Sequence, residues 1–380
     1  MLNHTRLMIL MQIRDSYRLI PGLLLTVVLA ALSFWLSRIL GEDLLGFAAT
    51  PISAGMLAIL LGMLLGNVVP AAAWLVPGYG FAVKKVLRLG IILLGIRLSV
   101  TEVLRLGLIG VPIVVGCIAG ALVATIILGK WLGLPDRLGI LIAVGTSICG
   151  ISAIVATGPV IEAEEEEITY AVAVITVFGI LATLIYPYLA HALFSGNPGK
   201  VGLFLGTSIH DTSQVAGAGL VYAQSFSEPA ALDAATVTKL LRNLFITVVI
   251  PLMAFRHSRN QRGIQNGGSK KIKLVRLLPL FVVGFLLLAA LRSIGDLSLH
   301  ANGRAFGFIS EPAWRGLYNS VKSWASRLLV VALAGVGLST RFRSLKGLGI
   351  KPFLVGLSAA LSVGIISFLL ISLFGFLIEI

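Results

Sequence analysis

The chain has 380 residues, of which 57% are hydrophobic and 12% charged, with a mean hydropathy of +1.00. That is too apolar for one soluble core and makes the chain an integral membrane protein. Its formal net charge of +14 would suit nucleic acid in a soluble protein, but basic residues in a membrane chain first of all set topology, so no nucleic-acid partner is expected.

Apolar runs of about 17–25 residues, enough to cross roughly 30 Å of hydrocarbon, fall near 20–40, 52–69, 86–100, 108–128, 138–160, 168–190, 201–223, 236–255, 277–292, 326–340 and 350–377. They predict an all-α polytopic protein of about 11 transmembrane helices, three of them short, forming a single membrane domain over 1–380. Met1–Ile20 carries Arg6, Arg14, Asp15 and Arg18 and runs into the first span without a small-residue cleavage site, so it does not read as a removable signal peptide. The N-terminal half covers about 20–194 and the C-terminal half about 200–378, and a Gly, Asn, Gln and Ser-rich stretch marks a cytoplasmic linker at about 256–276. Lys84, Lys85 and Arg88, the basic residues between Arg256 and Arg276, and Arg341, Arg343, Lys346 and Lys351 all fall on one side of an eleven-span count. The positive-inside bias makes that side cytoplasmic, with the N-terminus inside and the C-terminus external. The acidic run Glu162 to Glu167, interrupted by Ala163, is then expected on the opposite side.

Two spans are interrupted by glycine and small polar residues. The first reads Gly145-Thr146-Ser147-Ile148-Cys149-Gly150-Ile151-Ser152-Ala153, the second Gly206-Thr207-Ser208-Ile209-His210-Asp211-Thr212-Ser213-Gln214. An ionisable residue at the centre of a spanning helix costs about 2.5–3.5 kcal/mol on insertion scales, so His210 and Asp211 must face protein or a wet cavity. Broken helices at membrane depth mark places where a solute is bound or moved. Thr146, Ser147, Cys149, Ser152, Thr207, Ser208, Thr212, Ser213 and Gln214 are therefore candidate substrate-binding residues, and His210 beside Asp211 is the candidate proton-coupling pair. Lys239 and Arg242, three apart on one helix face with Asn243 below Lys239, complete the candidate set. Two cations there attract an anion, or snorkel to the headgroups. Cys117 and Cys149 lack a second thiol or histidine at ligand spacing, so no disulfide, metal or cofactor is expected.

Gly95-Ile96-Arg97-Leu98-Ser99 recurs as Gly335-Val336-Gly337-Leu338-Ser339, and the same offset pairs Gly107-Leu108 with Gly347-Leu348, Pro112 with Pro352 and Gly116 with Gly356. The two copies run in opposite directions in the count above, the pattern of an inverted repeat. Gly145-Thr146-Ser147-Ile148 also echoes Gly206-Thr207-Ser208-Ile209. Those two spans have the same parity, so they are inverted mates only if one is re-entrant or the count fails there.

At these residues the chain resembles the UPF0324 membrane proteins, a family to which sulfate export has been ascribed. The resemblance covers roughly 20–378 and rests on the two Gly-Thr-Ser-Ile segments with their continuations, Pro159-Val160 to Glu167, and Lys239 with Arg242. Ile151 departs from it, since a polar residue is expected there, which puts ligation at position 151 in doubt. The resemblance implies the fold group of the cation/proton antiporters and bile-acid symporters, with inverted repeats, two broken core helices and alternating access.

The expected function is secondary transport of a small anion, sulfate or a sulfonate, across the bacterial inner membrane, with lipid as the surrounding partner and a homodimer as one expected assembly. A cation/proton antiporter with Asp211 as ion ligand is the first alternative. A passive channel is the second, and an intramembrane enzyme using Ser208, His210 and Asp211 the third, weakened because adjacent helix residues diverge by about 100°. The chain is not expected to be an enzyme.

Overall fold

A computed structural model describes residues 2–40, 53–69, 73–261, 280–340 and 350–374, nearly all of them helical. The helices are α1 (Leu2–Arg38), α2 (Ala54–Val68), α3 (Val76–Phe81), α4 (Leu87–Leu94), α5 (Val100–Trp131), α6 (Asp136–Ser147), α7 (Ile151–Thr157), α8 (Glu165–Leu193), α9 (Pro198–Ser208), α10 (Thr212–Ser225), α11 (Pro229–Leu244), α12 (Ile246–Gln261), α13 (Leu280–Asn302), α14 (Glu311–Ser339) and α15 (Ile350–Phe374). One π-helical turn, Ala82–Val86, joins α3 to α4. A two-residue antiparallel pairing of β1 (Arg304–Ala305) with β2 (Ile309–Ser310) turns α13 into α14. Among the described residues, seven helical segments are long and apolar enough to cross a membrane. The fold is thus an all-α polytopic membrane protein.

Polar residues set where the helices begin. Ser53 Oγ accepts from Met56 N at the head of α2, Ser99 and Glu102 form a reciprocal cap on α5, and Asn197 accepts from Lys200 N on α9. Each cap satisfies amide groups that lipid could not.

Close approaches at glycine fix the helix directions. Gly116 and Gly120 of α5 meet Leu370 and Ile366 of α15, so these helices are antiparallel. Gly356 of α15 meets Val174 and Phe178, and Gly364 meets Tyr186, so α15 and α8 are parallel. α8 therefore runs opposite to α5, and the end of α5 and the start of α8 lie at one face. The intervening α6 and α7 enter and leave by that face, and the Ile154 side chain folds back onto Gly145. Likewise Tyr222 near the end of α10 lies 3.1 Å from His191 Nδ1 and donates to Gly196 O just before α9. Both apolar runs that the sequence reads as spans, 138–160 and 201–223, are re-entrant hairpins opening to opposite faces.

This revises two expectations. Glu164–Glu167, which cap the start of α8, share a face with Lys130, Asp136 and Arg256 and with Lys351, whose Nζ approaches Gly133, instead of lying opposite to them. A hairpin long enough to span, but bent back at its centre, shifts the parity of every loop until the second hairpin restores it. The linker expected at about 256–276 is helical through Gln261, and 262–276 lies outside the described residues. Between the spans expected at 277–292 and 326–340 the chain is mostly helix, because Trp314 Nε1 donates to Asp296 Oδ1 at 2.8 Å and Arg292 pairs with Asp296 and stacks over Tyr318, tying α13 to α14.

Two bodies result. α1 to α4, α13 and α14 pack on one another, while α5 to α12 and α15 enclose the hairpins. Their largely apolar seam joins Leu329 and Leu333 of α14 to Leu220 of α10 and Leu232 of α11. A few polar ties cross it. Gly55 N donates to Gln224 Oε1 at 3.1 Å. Arg97, just beyond α4, lies 2.5 Å from Asp233 on α11, with side-chain exposures of only 6% and 12%. Arg97→Ala and Asp233→Ala should each lower the unfolding temperature, and a double-mutant cycle should show a coupling of about 1–3 kcal/mol, whereas additive losses would mean that the pair does not hold the seam.

Candidate functional site

The hairpin tips meet at mid-chain backbone that has left helical geometry. α6 stops at Ser147, Ile148 has φ −120° and ψ −95°, and Gly150 has φ +67° and ψ −125°. α9 stops at Ser208, and Ile209 is extended. The chain re-enters helix at Asp211, whose carboxylate accepts from Ser213 N at 2.8 Å while its own N–H donates to Gln214 Oε1 at 3.1 Å. Gln214 also donates to Thr176 O on α8, anchoring the returning limb. A Cβ on Gly150 would sit 3.1 Å from Asp211 Cα, so the two tips touch main chain to main chain.

Two buried cations on α11 bind them. Lys239 is 1% and Arg242 0% exposed, which removes the headgroup reading of this pair. Lys239 Nζ donates to Ile148 O at 2.7 Å, to Ile209 O at 3.0 Å and to His210 O. Arg242 donates through Nε to Ser147 O at 2.6 Å, through Nη1 to Thr207 O at 2.7 Å and Ile209 O at 2.9 Å, and through Nη2 to Thr146 O. These are the orphan carbonyls that end α6 and α9, where each helix carries roughly half a negative charge. The local physics is charge on dipole, repeated on both hairpins by one helix.

The sequence-derived candidates divide by what their polar atoms do. Thr207 Oγ1 bonds Ser367 Oγ of α15 at 2.6 Å and Leu203 O. Ser208 donates to Phe204 O, and Ser213 to Asp211. Asn243 Nδ2 donates to Thr212 Oγ1 at 3.1 Å, joining α11 to α10. Cys149 is buried in the first break, while Ser152 is exposed on α7. In contrast, Thr146 Oγ1, Ser147 Oγ, both ring nitrogens of His210 and Asn243 Oδ1 are buried and have no hydrogen-bond partner among the described residues. Thr238 Oγ1 shares that state. Sequence reasoning passed over Thr238 and Ser367; a hydroxyl next to Lys239 was the available signal for the first, and no local pattern marked the second.

The family model described as conserved hypothetical protein 698 matches residues 21–356. The chain is 32% identical over 361 residues to a UPF0324 membrane protein of Clostridium tetani, covering 92% of this chain and 95% of that one. It belongs to the UPF0324 family. A similar likeness extends to the UPF0324 inner membrane protein YeiH of Escherichia coli K12, 32% identical over 351 residues with 91% of each chain covered. A UPF0324 membrane protein of Fusobacterium nucleatum is 32% identical over 313 residues, with coverages of 81% and 87%. The UPF0324 assignment agrees with the multi-pass helical architecture and brings with it no stated substrate.

Proposed function

We propose that this UPF0324 protein is a secondary active transporter that moves a small anion, sulfate or a sulfonate first among them, across the bacterial inner membrane by alternating access. The observation that supports it is the chemistry left over at the hairpin tips. Each buried unpartnered polar group costs about 1–3 kcal/mol, and four side chains there that can donate a hydrogen bond, Thr146, Ser147, His210 and Thr238, bear that cost. The carbonyls of the breaks that would ligate a cation are instead already held by Lys239 and Arg242. These hydroxyls and the imidazole can turn a donor toward an oxyanion, and with the break carbonyls already taken by Lys239 and Arg242 that reading is favoured over the cation/proton alternative. His210 and Asp211 remain the candidate proton carriers. Ser208, His210 and Asp211 make no relay, since the Ser208 hydroxyl donates to Phe204 O, which supports a non-enzymatic reading.

The arrangement also suits alternating access. The α4–α5 unit meets α14–α15 with antiparallel contacts, the arrangement that an inverted repeat of these two units would give. The Gly-Thr-Ser-Ile segments end the first limbs of hairpins that open to opposite faces. In this reading nine segments cross, two dip in, and the pairs are inverted repeat mates. The body holding the hairpins moves against α1 to α4, α13 and α14. The positive-inside bias places Arg256 and Lys351 in the cytoplasm, with the N-terminus inside and the C-terminus external. A cysteine at Glu165 should then resist an impermeant thiol reagent in intact cells, whereas one at Ser195 should react; the reverse pattern would invert or break this topology.

A thermal-shift screen of the purified protein tests the substrate class. Sulfate or an organosulfonate should raise the unfolding temperature saturably over chloride at matched ionic strength, and Ser147→Ala and His210→Ala should weaken that shift about tenfold in concentration, the loss of about 1.4 kcal/mol of binding. Stabilisation by sodium with no anion effect would favour the antiporter alternative.

A further inference from the structure

Lys239 stands where a free cation would bind. Its ammonium has three N–H donors, and it meets three main-chain oxygens, those of Ile148 at 2.7 Å, Ile209 at 3.0 Å and His210. The first belongs to one hairpin tip and the other two to the second. Carbonyl oxygens converging on one point are what replaces the hydration shell of a monovalent ion.

The local charge points the same way. The carbonyl ends of α6 and α9 each carry about half a negative charge, and these are the ends that α11 meets, while the N-terminal ends of α7 and α10 carry the opposite partial charge and Asp211 caps the second of them. Lys239 therefore lies on the negative side of the breaks, against oxygens that would be left unpaired without it. Arg242 Nη1 shares the Ile209 oxygen at 2.9 Å, but the guanidinium is held by Ser147 O and Thr207 O, and Ile148 O and His210 O are bonded by Lys239. His210 and Cys149, the other titratable side chains at the tips, are buried, and His210 contributes its carbonyl, not its ring, to the Lys239 contacts.

We propose that the carbonyls of Ile148, Ile209 and His210 form a monovalent-cation cage whose resident is the protein's own Lys239 ammonium, so that the two hairpins close together without a free sodium, potassium or ammonium ion. The cage is a property of the main chain at the tips, independent of which solute the protein carries.

The test uses the full-length protein in detergent, in ammonium, potassium, sodium or tetramethylammonium chloride at equal ionic strength. Tetramethylammonium is the control, since it has no N–H donor and is too bulky for the cage. Wild-type protein should unfold at the same temperature in all four salts, within about 1 °C. Lys239→Ala should unfold earlier in tetramethylammonium and recover saturably in ammonium, by about 3 °C at roughly ten times the dissociation constant. Lys239→Met, whose chain fills the lysine stem, should be destabilised without recovery. An alanine variant indifferent to the four salts, or a methionine variant that recovers equally, would overturn the proposal. If neither variant accumulates, the wild-type series decides: indifference supports a resident lysine, and a saturable rise in any one salt over tetramethylammonium overturns it.

Discussion

Arg242→Leu is expected to lower the stability of this protein by about 3–5 kcal/mol, the loss typical when one partner of a buried charged contact is removed. The guanidinium is fully buried and holds carbonyls from both hairpins, Thr146 and Ser147 on one and Thr207 and Ile209 on the other. Leucine fills part of the volume but leaves the Thr146, Ser147 and Thr207 oxygens unpaired, and the C-terminal dipoles of α6 and α9 are then met by Lys239 alone. Arg242→Lys keeps the charge and loses the fork, since an ammonium cannot reach carbonyls on two sides at once, so it should fall between the two. Thermal unfolding in detergent reads this directly, at about 2–4 °C per kcal/mol for chains of 150–250 residues. A leucine variant within 1 °C of wild type would show that the hairpins are held by their packing alone.

The reach of the sequence is clearest at these residues. Glycines and hydroxyls inside otherwise apolar runs gave away both breaks, because nothing in lipid solvates freed backbone, and the positions Gly145–Ser147 and Gly206–Ser208 end helices as that reasoning expects. The reversal of direction was not legible. Runs of 138–160 and 201–223 are long enough to cross, and whether such a segment crosses or turns back depends on a positive φ at Gly150 and on distant partners such as His191 for Tyr222. The error in parity then carried the acidic run to the wrong face. Lys239 and Arg242 stood equally well for snorkelling and for burial by spacing alone. Their burial follows from the meeting of α11 with both tips, a contact between segments some 30 and 90 residues away in the chain. The echo between the two Gly-Thr-Ser-Ile segments was visible, but its parity conflicted with the span count, because length alone does not separate a hairpin from a crossing.

Gly150→Ala carries the second large expected effect. The residue has φ +67° and ψ −125°, a conformation that side chains avoid and that costs of order 1–3 kcal/mol for a non-glycine residue. Added to that strain, a Cβ would lie 3.1 Å from both Cα and Cβ of Asp211 and 3.2 Å from its Oδ2. Asp211 is not a free side-chain end, since Ser213 and Gln214 hold it as the cap of α10. The alanine must therefore either flatten the turn between α6 and α7 or push the second tip away, and both routes draw Ile148 O and His210 O out of reach of Lys239. Gly139→Ala is the control on the same hairpin, since a Cβ there meets nothing within 4 Å and alanine is the better helix former by about 0.5–1 kcal/mol. Gly150→Ala should lower the unfolding temperature by about 5 °C or more and abolish the anion-induced shift, while Gly139→Ala should leave both unchanged or slightly raised. A Gly150→Ala protein that matches the control in both measurements would mean that the tips do not need their main-chain contact, and the charge-on-dipole account of the site would lose its geometric basis.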